Sequence, residues 1–354
     1  MTEAPDAVAI LDPPTPEPVR TPIAETFPRT GPALFAAIRA SGARKVVLQV
    51  PAGLTRNAHV LAGEIREATG AQVALLARAC FGACDLPSDP ESVGADLAVV
   101  LGHAPIPNVR LTRPTFFVEM RETGGDAERL ADLVVGANLP DPLGLVASVQ
   151  HLDLVPNLIA ALAQRGRTVR IAAGGPRLQY PGQALGCNYT TATPLDAEVG
   201  GFLFLGTGRF HPIGLAFSVE HPVFALDPLQ GLLEGPIDRD ALVRRRQLAV
   251  ATARDARRWG VLVSTFPGQH RSAMALALQR RALDRGREAE ILTVDRIDPR
   301  DLEGRDLDAY VSTACPRIAT DDGPLYPKPV LTPPEFLMAL GELPLAPYRF
   351  DTYR

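Results

Sequence analysis

Four cysteines are the residues of this 354-residue chain best suited to chemistry. Cys80 and Cys84 flank Phe81-Gly82-Ala83, whereas Cys187 and Cys315 stand alone, far along the chain. Each lies past a strand-like apolar run and close to Gly or Pro, the residues that punctuate loops. A thiolate at a loop mouth is a metal ligand or a nucleophile. So sparse a use of cysteine, always at loops, suggests that the thiols converge on one centre.

Spacing alone does not choose that centre. Structural zinc usually takes paired Cys-x2-Cys knuckles, and this chain has no such pair. A zinc held by four thiolates stays open. Iron–sulfur clusters also take cysteine thiolates, and three thiolates would leave one iron open to substrate. The Cys-x3-Cys-x2-Cys run of the usual radical enzymes is absent. Four unrelated core cysteines are the plain alternative. The start, Met1-Thr2-Glu3-Ala4-Pro5, lacks the basic residues and apolar core of a signal peptide. The cysteines are therefore expected as thiols or metal ligands rather than disulfides.

Loops of similar make accompany them. Gly102-His103-Ala104-Pro105 and Gly206-Thr207-Gly208-Arg209-Phe210-His211-Pro212 each follow an apolar run. Pro51-Ala52-Gly53-Leu54 and Pro267-Gly268-Gln269-His270 do the same. Such turns expose backbone N–H groups that can cradle an anion. His103, His211 and His270 read as loop-orienting hydrogen-bond partners before they read as ligands. No Ser/His/Asp signature, Gly-x4-Gly-Lys-Ser phosphate loop or His-Glu-x2-His zinc helix occurs.

The elements that must position these loops repeat three times. The first copy has strands Val46–Val50, Val73–Leu76, Leu97–Leu101 and Phe116–Val118, with a helix carrying Val60, Leu61, Ile65 and Ala68. A short helix is expected between Cys84 and Leu97. The second copy has strands Leu145–Val149, Val169–Ala172, Phe202–Leu205 and Val223–Leu226, with a helix carrying Leu158, Ile159 and Leu162. The third has strands Val261–Thr265, Ile291–Val294, Ala309–Thr313 and Val330-Leu331, with a helix carrying Met274, Leu278 and Ala282. Apolar strands alternating with amphipathic helices give parallel sheets covered by helices. The fold class is therefore α/β, with three similar domains, each a small, mostly parallel sheet flanked by helices, around a central site. Right-handed crossovers put strand C-termini on one edge, where ligands bind. The expected division is a Pro-rich arm at 1–30 and domains at 31–135, 136–235 and 236–354, with Cys84, Cys187 and Cys315 falling one to each. Folded sequence is expected from about Pro32, opening on a helix Ala33–Ser41. A helix Pro236–Trp259 is expected to link the last two copies, with Arg244-Arg245-Arg246 on its solvated face.

Composition closes other routes. A hydrophobic content of 46% is ample for a core, and a net charge of −4 argues against nucleic acid as a direct partner. No stretch approaches the ~18 apolar residues of a membrane span.

Several motifs, in order, resemble the archaeal-type diphthamide synthase family, the 2-(3-amino-3-carboxypropyl)histidine synthases. They are Phe81-Gly82-Ala83-Cys84-Asp85 with Gly102-His103; Pro181-Gly182-Gln183-Ala184-Leu185-Gly186-Cys187-Asn188; Gly206 to Pro212; and Ala314-Cys315-Pro316-Arg317-Ile318 with Asp321-Asp322. Ser264-Thr265-Phe266-Pro267-Gly268-Gln269 and the ending Tyr348-Arg349-Phe350-Asp351-Thr352-Tyr353 add to them. Ala52 departs from the pattern where the family often has an acidic residue, as does Gly323-Pro324 where an aromatic is expected. The resemblance runs from about residue 44 to the end.

It implies a [4Fe–4S] cluster held by Cys84, Cys187 and Cys315, with Cys80 not a ligand. It implies an enzyme, a transferase of an alkyl group other than methyl. S-adenosylmethionine would be cleaved at the methionine Cγ, and a 3-amino-3-carboxypropyl radical added to C2 of a histidine of translation elongation factor 2. This is the first step of diphthamide biosynthesis. The loops at Gly53, Gly206-Thr207-Gly208 and Gln269, with Arg317 and Asp321, are the candidates for holding S-adenosylmethionine. A cytoplasmic homodimer served by a small redox protein or other electron donor completes the expectation. The alternatives are a non-catalytic cluster-binding partner subunit and a paralogue with another acceptor.

Overall fold

A strand that is apolar on both faces needs cover on both, and this requirement shapes every sheet in the chain. The computed structural model describes residues 27–86, 94–122 and 124–353. The chain divides into two units, of which the first holds, among the described residues, 27–80, 94–104 and 113–121.

In the first unit, helix α1 (Phe27–Ser41) precedes strand β1 (Lys45–Gln49), helix α2 (Ala58–Thr69) and strands β2 (Gln72–Leu75), β3 (Leu97–Leu101) and β4 (Thr115–Val118). The four strands are parallel, in the order β2-β1-β3-β4. Leu34 and Ile38 of α1 and Leu61 and Ile65 of α2 are fully buried against Val46, Leu48, Val99 and Leu101. Each such side chain contributes about 2 kcal/mol of burial. Gly70 ends α2 at φ 74°, a left-handed cap that glycine adopts without a Cβ penalty.

The second unit contains two more sheets. Helix α3 (Ala127–Gly136) is capped by Asp126, whose Oδ1 accepts the Arg129 N–H at 3.0 Å. Strand β5 (Leu143–Ala147), helix α4 (Val155–Gln164), strands β6 (Val169–Arg170) and β7 (Gly201–Leu205), helix α5 (Phe210–Ser218) and strands β8 (Val223–Asp227) and β9 (Leu232–Glu234) follow. The order is β6-β5-β7-β8-β9, with only β9 antiparallel. Arg165, just past α4, pairs with Asp132 and Glu128 of α3, both at 2.8 Å.

After helix α6 (Arg239–Ala253) come strand β10 (Arg258–Ser264), helix α7 (Ser272–Asp284), strand β11 (Glu288–Val294), the short helix α8 (Pro299–Leu302), strand β12 (Ala309–Ser312), the short helix α9 (Pro316–Thr320), strand β13 (Val330–Leu331) and helix α10 (Pro333–Ala339). Their sheet is parallel, in the order β11-β10-β12-β13. All three sheets thus share one winding, in which the second strand flanks the first and the third and fourth follow on its other side. The expected α/β repeat is borne out.

Several details differ from expectation. The first helix starts at Phe27, not beyond Pro32, which lies inside it. The expected helix to Trp259 ends at Ala253, because Trp259 belongs to β10 and is buried edge-to-face on Phe336. The strand read as Val169–Ala172 stops at Arg170. Arg246 does not lie on a solvated face. It is 4% exposed and makes two 2.8 Å bonds to Glu335, which also accepts the Tyr348 hydroxyl at 2.8 Å. The arm up to residue 26 and most of the short helix expected before Leu97 lie outside the described residues.

Candidate functional site

The cysteine loops owe their shapes to small residues and local bonds. In the first unit the Cys80 N–H donates to the Val50 carbonyl at 3.0 Å, continuing the parallel pairing beyond β1. Cys80 is buried, with its Sγ 3.7 Å from His103 Nδ1, which lies 3.0 Å from the Leu101 carbonyl oxygen. His103 therefore orients the loop after β3, as His270 does after β10 through Nδ1 and the Ser264 carbonyl, 2.8 Å apart. His211 stacks on Phe204 instead, with ring centroids 5.6 Å apart.

Cys84, Cys187 and Cys315 all belong to the second unit. Asp85 folds the Cys84 loop by accepting the Phe81 N–H at 3.0 Å. The turn Pro267–Gln269 presses against that loop. A Cβ on Gly268 would fall 2.4 Å from Cys84 Cα and 2.7 Å from its carbonyl oxygen. Only glycine fits there. Gln269 then donates from Nε2 to Cys84 Sγ at 3.4 Å. Arg177, buried, donates from Nη2 to the Gly268 carbonyl at 3.0 Å, and its charge favours the thiolate form of Cys187.

The C-terminal segment closes the same group. The Tyr353 N–H donates to the Cys187 carbonyl at 2.9 Å, and Asn188 Nδ2 donates to the Tyr353 carbonyl at 2.7 Å. Arg271 reaches the Cys315 side, donating to the Thr313 carbonyl at 2.6 Å and the Ala314 carbonyl at 3.0 Å. It also pairs with both carboxylate oxygens of Asp351, at 2.6 and 3.0 Å. Arg177 and Arg271 lie over the Tyr353 ring, 4.3 and 4.1 Å from its centroid. One guanidinium therefore ties the backbone ahead of Cys315 to the segment that bonds Cys187.

The three thiols share one electrostatic environment. Burial pushes the Cys84 thiol up to about 12, with the Cys187 and Asp85 charges adding to it and Gln269 and Arg177 opposing. Burial also raises Cys187, against Arg177 and Arg271. Cys315 is raised by burial and then by Cys187 and Cys84. Burial thus opposes ionisation of all three thiols, and Cys187 opposes it further at Cys84 and Cys315. Only a strongly cationic centre would draw all three into thiolate form.

A sequence profile of the diphthamide synthesis protein family matches residues 50–349. The chain belongs to the diphthamide synthesis family. The 2-(3-amino-3-carboxypropyl)histidine synthase of Pyrococcus horikoshii is 35% identical over 312 residues, 85% of this chain and 86% of that one. Subunit 1 of the human 2-(3-amino-3-carboxypropyl)histidine synthase is 30% identical, covering 89% of this chain and 73% of that one. The crystal structure of Dph2 from Pyrococcus horikoshii with a 4Fe-4S cluster superposes with a TM-score of 0.82, at 35% identity, over 90% of this chain and 92% of that one.

The residues of this family member fit such a cluster. Cys84, Cys187 and Cys315, half-buried or buried free thiols, are the donor type that such a cluster takes. Around them stand buried polar atoms without a hydrogen-bond partner, the Tyr353 hydroxyl and Arg177 Nε. Among the described residues, no group of three or more His, Cys, Asp or Glu could hold a single metal ion. A four-iron cube instead takes one thiolate at each of three separate corners.

The other candidates fall in different places. Gly53 lies on the turn Ala52–Asn57 of the first unit. Gly206 follows β7, its N–H bonded to the Leu226 carbonyl at 3.0 Å, and Thr207 and Gly208 are exposed just before α5. Arg317 and Asp321 hold each other, Oδ2 accepting from Nε at 3.0 Å and from Nη2 at 2.5 Å. Arg317 also lies 4.1 Å above the Phe210 ring, and its Nη1 is buried without a partner. Sequence reasoning assigned no role to Arg177, Gly268, Arg271 or Tyr353. The ending Tyr348–Tyr353 and the Gly268 turn were visible as motifs, but nothing local in the chain marks Arg177 or Arg271.

Proposed function

We propose that this chain is a 2-(3-amino-3-carboxypropyl)histidine synthase whose three α/β regions, 31–135, 136–235 and 236–354, give one cluster thiolate each: Cys84, Cys187 and Cys315. The observation that carries this reading is the set of ties that Gly268, Arg177, Arg271 and Tyr353 make among the loops of those three thiols, joined to the family membership. When bound, the cluster supplies the electron that splits S-adenosylmethionine and frees a 3-amino-3-carboxypropyl radical for C2 of a histidine on translation elongation factor 2.

The chain's own residues do the positioning. Gln269 presents an N–H donor to the sulfur of Cys84, and the Arg177 charge favours the thiolate of Cys187, so both stabilise the thiolate forms. Gly82 and Gly268 keep the Cys84 loop small enough to approach the pocket. Cys80 stays out of the ligand set, buried beside His103 in the first unit. The Arg317–Asp321 pair offers both charges that an amino-acid end requires, and the exposed turn at Thr207-Gly208 offers backbone N–H groups. Three thiolates leave a site for the substrate that a fourth would close. A small redox protein as donor, a homodimer and a cytoplasmic setting belong to the same reading.

Anaerobic turnover of the purified chain with S-adenosylmethionine, a reductant and elongation factor 2 tests it. The factor should gain one 3-amino-3-carboxypropyl group on histidine, with one methylthioadenosine released. A brown, cluster-loaded chain that releases no methylthioadenosine would instead favour the partner-subunit reading.

A further inference from the structure

Tyr353 is a buried phenol whose every attachment is accounted for except its hydroxyl. The side chain is 5% exposed. Its backbone N–H is on the Cys187 carbonyl and its own carbonyl is on Asn188. Its ring is gripped between the guanidinium groups of Arg177 and Arg271, and Arg271 is itself fixed by Asp351, Thr313 and Ala314. The oxygen at the end of this clamped ring has no hydrogen-bond partner among the described residues. Cys187 and Cys84 both lie near enough to oppose its ionisation, while the two arginines favour it.

A buried O–H without an acceptor costs about 1–3 kcal/mol, so a fold that rigidifies one is holding it for something. Its backbone bond to Cys187 and its two guanidinium contacts, one leading through Arg177 to the Gly268 turn against Cys84 and the other through Arg271 to the backbone ahead of Cys315, set Tyr353 among the three cysteine loops, whose sulfurs become electron-rich acceptors once they ligate iron. A hydrogen bond to such a sulfur withdraws charge and stabilises the reduced cluster more than the oxidised one. The flanking guanidinium groups act in the same direction, by polarising the ring and keeping it from turning away.

We propose that the Tyr353 hydroxyl donates a hydrogen bond to a sulfur of the cluster held by Cys84, Cys187 and Cys315 and thereby raises its reduction potential. The C-terminal segment would then tune the electron step. This rests on the cluster reading above.

Tyr353→Phe keeps the ring between its two guanidinium groups and removes only the donor. Wild type and variant, full-length and reconstituted anaerobically, should bind equal iron and sulfide. Their midpoint potentials are then read by spin-resonance titration without S-adenosylmethionine. The variant should be harder to reduce by about tenfold in the equilibrium constant, which is about 59 mV for one electron. It should also lose a hyperfine coupling to an exchangeable proton seen in the wild type. Equal potentials and couplings in two cluster-loaded proteins would overturn the proposal while leaving the cluster reading intact. A wild type that takes up no cluster would overturn both. If the variant does not load, 3-fluorotyrosine at position 353 keeps the ring and hydroxyl and donates more strongly. It should raise the potential, and an unchanged value overturns the proposal.

Discussion

Gly268 and Cys84 meet backbone to backbone, so closely that a Cβ on Gly268 would lie 2.4 Å from Cys84 Cα and 2.8 Å from its Cβ. The loop after β10 thereby sets the position of a thiol far earlier in the chain. Gly268→Ala must push the Cys84 loop away, since neither backbone can yield by turning a side chain. The cost is about 1–3 kcal/mol of overpacking. Iron bound per chain after reconstitution should fall well below the wild-type value, with a modest loss in melting temperature. Full iron content in the alanine variant would show that the contact does not govern the thiol.

Arg246 and Glu335 form a buried bidentate pair. Arg246 also donates to the Ala319 carbonyl at 2.7 Å and the Val330 carbonyl at 2.9 Å. Removing one charge strands the other. Arg246→Ala should cost about 3–5 kcal/mol, read from the midpoint of urea unfolding. Arg246→Met combined with Glu335→Leu should cost markedly less, because no charge is left unpaired. Equal losses in the single and double variants would contradict this account.

His151 lies on the turn after β5, 1% exposed, with its Nδ1 buried and without a hydrogen-bond partner among the described residues. Burial lowers its pKa to about 4, against an opposing pull from Asp227. A depressed pKa in the fold means that the unfolded chain takes up the proton first, near pH 6.5. His151 therefore adds stability above pH 6.5 that is lost as the pH falls toward 4, up to about 3 kcal/mol. Unfolding free energies of the wild type and His151→Asn should converge across that window. A difference independent of pH would mean that His151 is not neutral in the fold.

The fold was legible where burial is local. Leu97–Leu101 and Phe202–Leu205 are apolar on both faces, and each proved to be an interior strand with every residue buried. Edge strands were harder. Strand β11 extends back to Glu288, but Glu288 and Glu290 gave its first half a polar look that its edge position permits. Trp259 was assigned to a helix because the Arg-rich run before it carries no Gly or Pro to mark the break. Arg246 looked like a surface residue because its partner Glu335 stands 89 positions away. The site divides in the same manner. Cysteines at loop mouths stand out in any sequence. The residues that gather them, Arg177, Arg271 and Tyr353, act through long-range bonds to backbone carbonyls, which leave no periodic or compositional trace.

The ligand set is the central claim, and iron and acid-labile sulfide counted on five proteins test it most directly. Wild type and Cys80→Ala should each carry close to four irons and four sulfides per chain after anaerobic reconstitution. Cys84→Ala, Cys187→Ala and Cys315→Ala should each lose the cluster. A Cys80→Ala protein without iron, or any one of the other three retaining a full cluster, would contradict the assignment.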